Sequence, residues 1–122
     1  MAILDVESLL EPVSEENPCG PNLEYDDVFV SFENAARGKA EQQYGETIIA
    51  AEEPDWREVR QLGLDLVSRT KDLRVACLLA RSLLETEGLP AFAESLALVR
   101  GYLQQYCPFV HPLLVPYDYN DP

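Results

Sequence analysis

Residues 55–88 read DWREVRQLGLDLVSRTKDLRVACLLARSLLETEG, and the helical period of this stretch decides the fold. Asp55, with Glu58 three residues on, resembles a capping box in which an acid replaces the usual Ser or Thr. Trp56, Val59, Leu62, Leu66 and Val67 then fall on one side of a helix that ends near Arg69. Asp72 is the natural cap of a second helix, which stops at Gly88. That helix carries one stripe of Leu73, Ala76, Cys77, Ala80, Leu83 and Leu84 and another of Val75, Leu78, Leu79 and Ser82. Only Arg74, Arg81 and Glu85 are left as a polar strip. A helix apolar on two sides is packed on two sides, so this one lies between its neighbours.

Working outward, Pro90 suits the first turn of a third helix running to about Tyr106, with Phe92, Leu96, Val99, Leu103 and Tyr106 along one side. Connections of only a few residues make these helices antiparallel. Gly63 and Gly101 sit inside helical patterns, where a close helix approach accounts for them. Upstream, Asp26 caps a helix to Ala36 carrying Tyr25, Phe29, Phe32 and Ala36, with Gly38 as its stop. Ile3 to Leu10 is a short helix, with Ile3, Val6 and Leu10 on one side, ended by Pro12. Residues 11–22 read as a loop, and 47–51 as one short extended segment. Residues 107–122, CPFVHPLLVPYDYNDP, form a Pro-rich strap that Phe109, Val110, Leu113 and Leu114 pin to the bundle. The expected fold is all-α: a compact antiparallel bundle of about five helices. The expected domain is single and spans 1–122, with an acidic part at 1–36, a three-helix body at 55–106, and the strap and domain edge at 107–122.

Hydrophobic residues make up 47% and charged residues 25% of the 122, values that suit a globular domain. The charge is unusual, formally −13 with a pI near 4.2. Residues 1–36 hold nine acids (Asp5, Glu7, Glu11, Glu15, Glu16, Glu24, Asp26, Asp27 and Glu33) and no Lys or Arg. Such a surface repels nucleic-acid phosphates and anionic lipid and attracts basic partners. No stretch reaches the roughly 20 apolar residues a membrane helix needs, and the amino terminus lacks the basic and apolar parts of a secretory signal. Cys19, Cys77 and Cys107 form no CxxC pair, so neither a disulfide framework nor a zinc site is expected. The reading is a reduced, cytoplasmic protein.

Chemistry is sparse. Cys107 and His111, the only histidine, invite a thiol-nucleophile or metal reading, but they flank Pro108 on a strap with no third orienting group. Glu52, Glu53 and Asp55 cluster beside Trp56, where negative charge at a helix start explains them more simply than paired acid–base catalysis. Asp118, Asn120 and Asp121 lack the spacing of a calcium loop. No phosphate loop, dinucleotide fingerprint or nucleophile elbow occurs. No catalytic residue, cofactor or metal ligand is expected. Trp56 is either a core anchor or an interface hot spot, with Arg57, Arg60, Lys71, Arg74 and Arg81 as a basic strip beside it.

Several blocks carry a family resemblance: Pro12-Val-Ser, Asn17-Pro-Cys-Gly20, Leu23-Glu-Tyr-Asp26, Ala36-Arg-Gly-Lys39 and Glu41-Gln-Gln. The most specific are Ala51-Glu-Glu-Pro-Asp-Trp56-Arg-Glu-Val-Arg60 and Arg69-Thr-Lys-Asp-Leu-Arg-Val-Ala76. Gly88-Leu89, Val110-His-Pro112 and Asn120-Asp-Pro122 follow in order. Over essentially its whole length the chain resembles the ImpA amino-terminal domain family, the first domain of TssA-type proteins of the type VI secretion system. The resemblance implies a fragment of a longer protein, homo-oligomeric through a carboxy-terminal region absent here. It implies no enzymatic activity, but contacts with the baseplate, sheath and tube during assembly. Within the matching blocks, Glu53, Asp55, Trp56, Arg57, Lys71, Asp72 and Arg74 are the expected partner contacts. The competing reading is a generic acidic adaptor that uses residues 1–36 to bind a basic protein.

Overall fold

The structure, a computed structural model, describes residues 4–38, 42–51, 53–107 and 109–113. The chain order is α1 (Val6–Leu9), α2 (Asp27–Arg37), β1 (Gln42–Tyr44), β2 (Thr47–Ile49), α3 (Trp56–Arg69), α4 (Leu73–Glu87) and α5 (Leu89–Gln105). The all-α bundle expected from the helical periods is present, with a small β-hairpin added. α2 packs on α3, α3 on α4 and α4 on α5, while α1 lies against α5. Short connections at Thr70–Asp72 and at Gly88 fold α3, α4 and α5 back and forth.

The caps sit where the acids placed them. Asp26 Oδ1 accepts from the Val28 amide at 2.9 Å, Asp55 Oδ1 from that of Glu58 at 3.2 Å, and Asp72 Oδ1 from that of Arg74 at 2.8 Å. Gly38 and Gly88 end α2 and α4 with φ of +66° and +94°, a backbone that other residues adopt at a cost. α4 is the middle of the bundle, with Val75, Ala76, Leu79, Ala80, Ser82 and Leu83 all buried. Ser82 is tolerated there because its hydroxyl donates to the Leu79 carbonyl at 2.7 Å. A Cβ on Gly63 would lie 3.0 Å from Phe32 and 3.1 Å from Leu79, so this glycine is where α2 and α4 close on α3.

Five details differ from the sequence expectation. Tyr25 is exposed rather than on the inner face of α2, because it precedes the Asp26 cap and lies off the helix. Cys77 is exposed and joins Arg74, Arg81 and Glu85 on the outer strip of α4. In α5 the buried face is Ala91, Ser95, Leu98, Gly101 and Tyr102, while Leu96 and Leu103 are about half exposed. Small residues let α4 and α1 approach closely, and Ser95 loses its polar penalty by donating to the Ala91 carbonyl. The extended segment is one arm of a hairpin, β1 pairing antiparallel with β2 in the register Tyr44↔Thr47. Its two-residue turn has Gly45 first, at φ +62°, the backbone that a twisted hairpin favours. On the strap Val110 is buried, but Phe109 and Leu113 point outward. Ile3, Glu52 and Leu114 lie outside the described residues, as do residues 118–122 of the expected domain edge.

Gly20 holds the long loop against the bundle. Its φ is +74°, and a Cβ there would come within 2.6 Å of the Arg69 carbonyl oxygen. Gly20→Ala therefore lowers unfolding free energy by about 2–4 kcal/mol, since strain and overlap act together. Urea denaturation checks this; a loss below about 0.5 kcal/mol, the usual surface value, contradicts it.

Candidate protein-interaction surface

The expected contact residues separate into two groups, because α3 stands between them. Glu53, Asp55, Trp56 and Arg57 lie at its start, and Lys71, Asp72 and Arg74 beyond its end. Fourteen residues at 1.5 Å each place the groups roughly 20 Å apart.

At the first end, the Asp55 amide donates to the Ala35 carbonyl at 3.1 Å, fastening the start of α3 to the end of α2. Trp56 is half buried against the core, and the Arg81 guanidinium lies 5.0 Å from its ring centroid. Arg81 also donates to Glu85 at 3.0 Å, and Arg60 is paired with Glu87. Arg57 is exposed and has no ion pair among the described residues. Glu53 and Asp55 border a shallow polar depression between α2 and α3, while Arg57 borders another between α3 and α4. An aromatic ring stacked by Arg, with an uncommitted cation beside it, is the chemistry of a protein contact.

At the second end the charged residues look inward. Asp72 is fully buried, and Arg74 grips it with two hydrogen bonds, Nε to Oδ1 at 3.0 Å and Nη2 to Oδ2 at 2.7 Å. Arg74 also donates to Asn22 and lies 5.0 Å from the Phe29 ring centroid. Its pKa is raised, first through the hydrogen bonds to Asp72. Arg69 pairs with Asp26 at 2.8 Å, which holds the Asp26 carboxyl below the usual range.

Lys71 is only 2% exposed. Its ammonium donates to the Leu9 carbonyl at 2.8 Å and lies 5.8 Å and 5.1 Å from the Tyr102 and Tyr106 ring centroids. Burial pushes its pKa down, while Cys19 and Glu11 oppose that shift. The backbone around it binds two other segments. The Lys71 amide donates to Cys19, the His111 amide to the Lys71 carbonyl, and the Leu73 amide to the His111 carbonyl. His111 Nε2 meets the Gly20 carbonyl at 2.8 Å, and the Thr70 hydroxyl donates to the Cys19 carbonyl. His111 is thus a buried fastener of the loop, whereas Cys107 is exposed. Among the described residues, no group of three or more His, Cys, Asp or Glu side chains is placed to hold a metal ion. No helix among them is long and apolar enough to cross a membrane.

Residues 10–121 match the model of the family described as ImpA, N-terminal, type VI secretion system. The chain belongs to the ImpA amino-terminal family. The type VI secretion system component TssA1 of Pseudomonas aeruginosa is 48% identical over 120 residues, covering 98% of this chain. The chain spans only 35% of that relative's length. The solved N-terminal domain, including the ImpA_N region, of the TssA component from Burkholderia cenocepacia superposes with a TM-score of 0.75 at 30% identity. That match covers 94% of this chain and 42% of the solved one.

Burial separates two kinds of substitution at the second end. Lys71→Ala removes a hydrogen bond, two cation–π contacts and buried packing, and costs about 2–4 kcal/mol of stability. Tyr102→Phe is neutral or slightly stabilising, because the Tyr102 hydroxyl is buried without a partner among the described residues. Equal losses for the two variants in thermal or urea unfolding contradict this assignment.

Proposed function

We propose that residues 1–122 act as one docking domain of a longer, cytoplasmic TssA-like protein that self-assembles through its remaining region. The domain contacts another component of the type VI apparatus, whether baseplate, sheath or tube, through the face at the start of α3. Glu53, Asp55, Trp56 and Arg57 make that contact. Arg74 adds a partly exposed cation at the other end. Lys71 and Asp72 serve the contact from beneath, by fixing the connection from which Arg74 projects. The observation that carries the reading is Trp56, partly buried and stacked by Arg81, beside an exposed Arg57 with no ion pair among the described residues. Tryptophan and arginine dominate binding energy where a partner excludes water from them.

Arg57→Glu is the cleanest test, since this side chain supports no helix cap and no buried partner. In pull-downs with purified baseplate, sheath and tube proteins, the variant captures its partner about tenfold less well. Its circular dichroism and melting temperature stay at the parent values. Undiminished capture of all three classes of component contradicts the placement of the surface.

A further inference from the structure

At the end of the bundle opposite Trp56, loop 16–19, the last turn of α5 and the strap enclose a depression of about 600 Å³. Cys19 and His111 are buried at its base, and Pro18 and Tyr106 line its sides. Phe109 and Leu113 line it too, yet they are 69% and 57% exposed. Their exposure is built in. Between them Val110 and His111 are buried, and the backbone of His111 is hydrogen-bonded on both sides to the α3–α4 connection. The strap therefore holds two large apolar side chains beside an apolar pocket, already ordered for a ligand.

Charge decides what fits. Glu16 lines the pocket, Glu15 adjoins it in the chain, and Glu11 lies close enough to Tyr106 to help raise its pKa. None of these three acids has an ion pair among the described residues. Three cations at this end are committed, Arg69 to Asp26 and Asp65, Arg74 to Asp72 and Glu24, and Lys71 to the interior, while Arg100 lines the neighbouring depression beside Leu10. An anionic lipid or acidic peptide meets repulsion here, whereas a basic one is attracted. We infer that the pocket docks an apolar side chain of a partner protein, presented on a segment rich in Lys and Arg. This site is separate from the α3 face.

The test uses the 122-residue chain and three fluorescein-labelled peptides, GKRLFKRG, GKRSSKRG and GEELFEEG, read by fluorescence anisotropy. The first binds, and the other two bind at least about tenfold more weakly. Phe109→Ala and Leu113→Ala each weaken the first peptide by about tenfold, with melting temperatures unchanged because both side chains face solvent. Arg57→Glu leaves peptide affinity as it was, so failure here and failure at the α3 face are told apart. No binding of GKRLFKRG at about 1 mM overturns the inference. So does equal binding of GEELFEEG, or indifference to both strap substitutions. Two other occupants also overturn it. Nuclear Overhauser contacts from residues 114–122 to Phe109 and Leu113 in the free chain would mean that its own tail fills the pocket. A dimer dissociated by Phe109→Ala would put a second copy there.

Discussion

The buried ammonium of Lys71 is the constraint on which the rest of the structure depends. A lysine taken out of water is costly unless its charge and donors are met. Here they are met by the Leu9 carbonyl and the faces of Tyr102 and Tyr106. These partners come from α1 and from the end of α5, so satisfying one side chain joins both to the α3–α4 connection. The extended backbone of Thr70, Lys71 and Asp72 adds the loop at Cys19 on one side and the strap at His111 on the other. Four stretches, each about 30 or more residues away in sequence, meet at three residues.

This node explains why the two ends of the bundle differ. At the Trp56 end, charged groups pair along the surface of helices that the core already holds, leaving Arg57 outward. At the Lys71 end, charge is spent on architecture: Asp72 caps α4 and holds Arg74, and Arg69 holds Asp26. Close to this end, Glu11, Glu15 and Glu16 are left without an ion pair among the described residues. The two ends of the bundle are therefore chemically different.

Much of the architecture was legible. Asp26, Asp55 and Asp72 announced their helices, because an acid ahead of an apolar period has few other uses. The double stripe of α4 identified the central helix. What stayed hidden had specific causes. The inner face of α5 is built from Ala91, Ser95 and Gly101, and a search for large apolar residues passes over it to Leu96 and Leu103. β1 has no alternating apolar pattern, so only its turn glycine marks the hairpin. Lys71 read as a surface cation because its partners lie about 30 to 60 residues away in sequence. The nearness of Trp56 and Arg74 in the matching blocks suggested one surface, and the length of the intervening helix made two. Of the contact residues expected from those blocks, the fold brings four together at one end and turns Lys71 and Asp72 inward.

If the Lys71 node belongs to the body of the fold, it cannot open without the bundle. Native-state hydrogen exchange of the Lys71, Leu73 and His111 amides measures this directly. The account predicts that all three exchange with a free energy within about 1 kcal/mol of that for the slowest α4 amides, which open only in global unfolding. Exchange of the three through a local opening several kcal/mol cheaper, with α4 still protected, would show that the loop and strap are accessories and that the node holds nothing together.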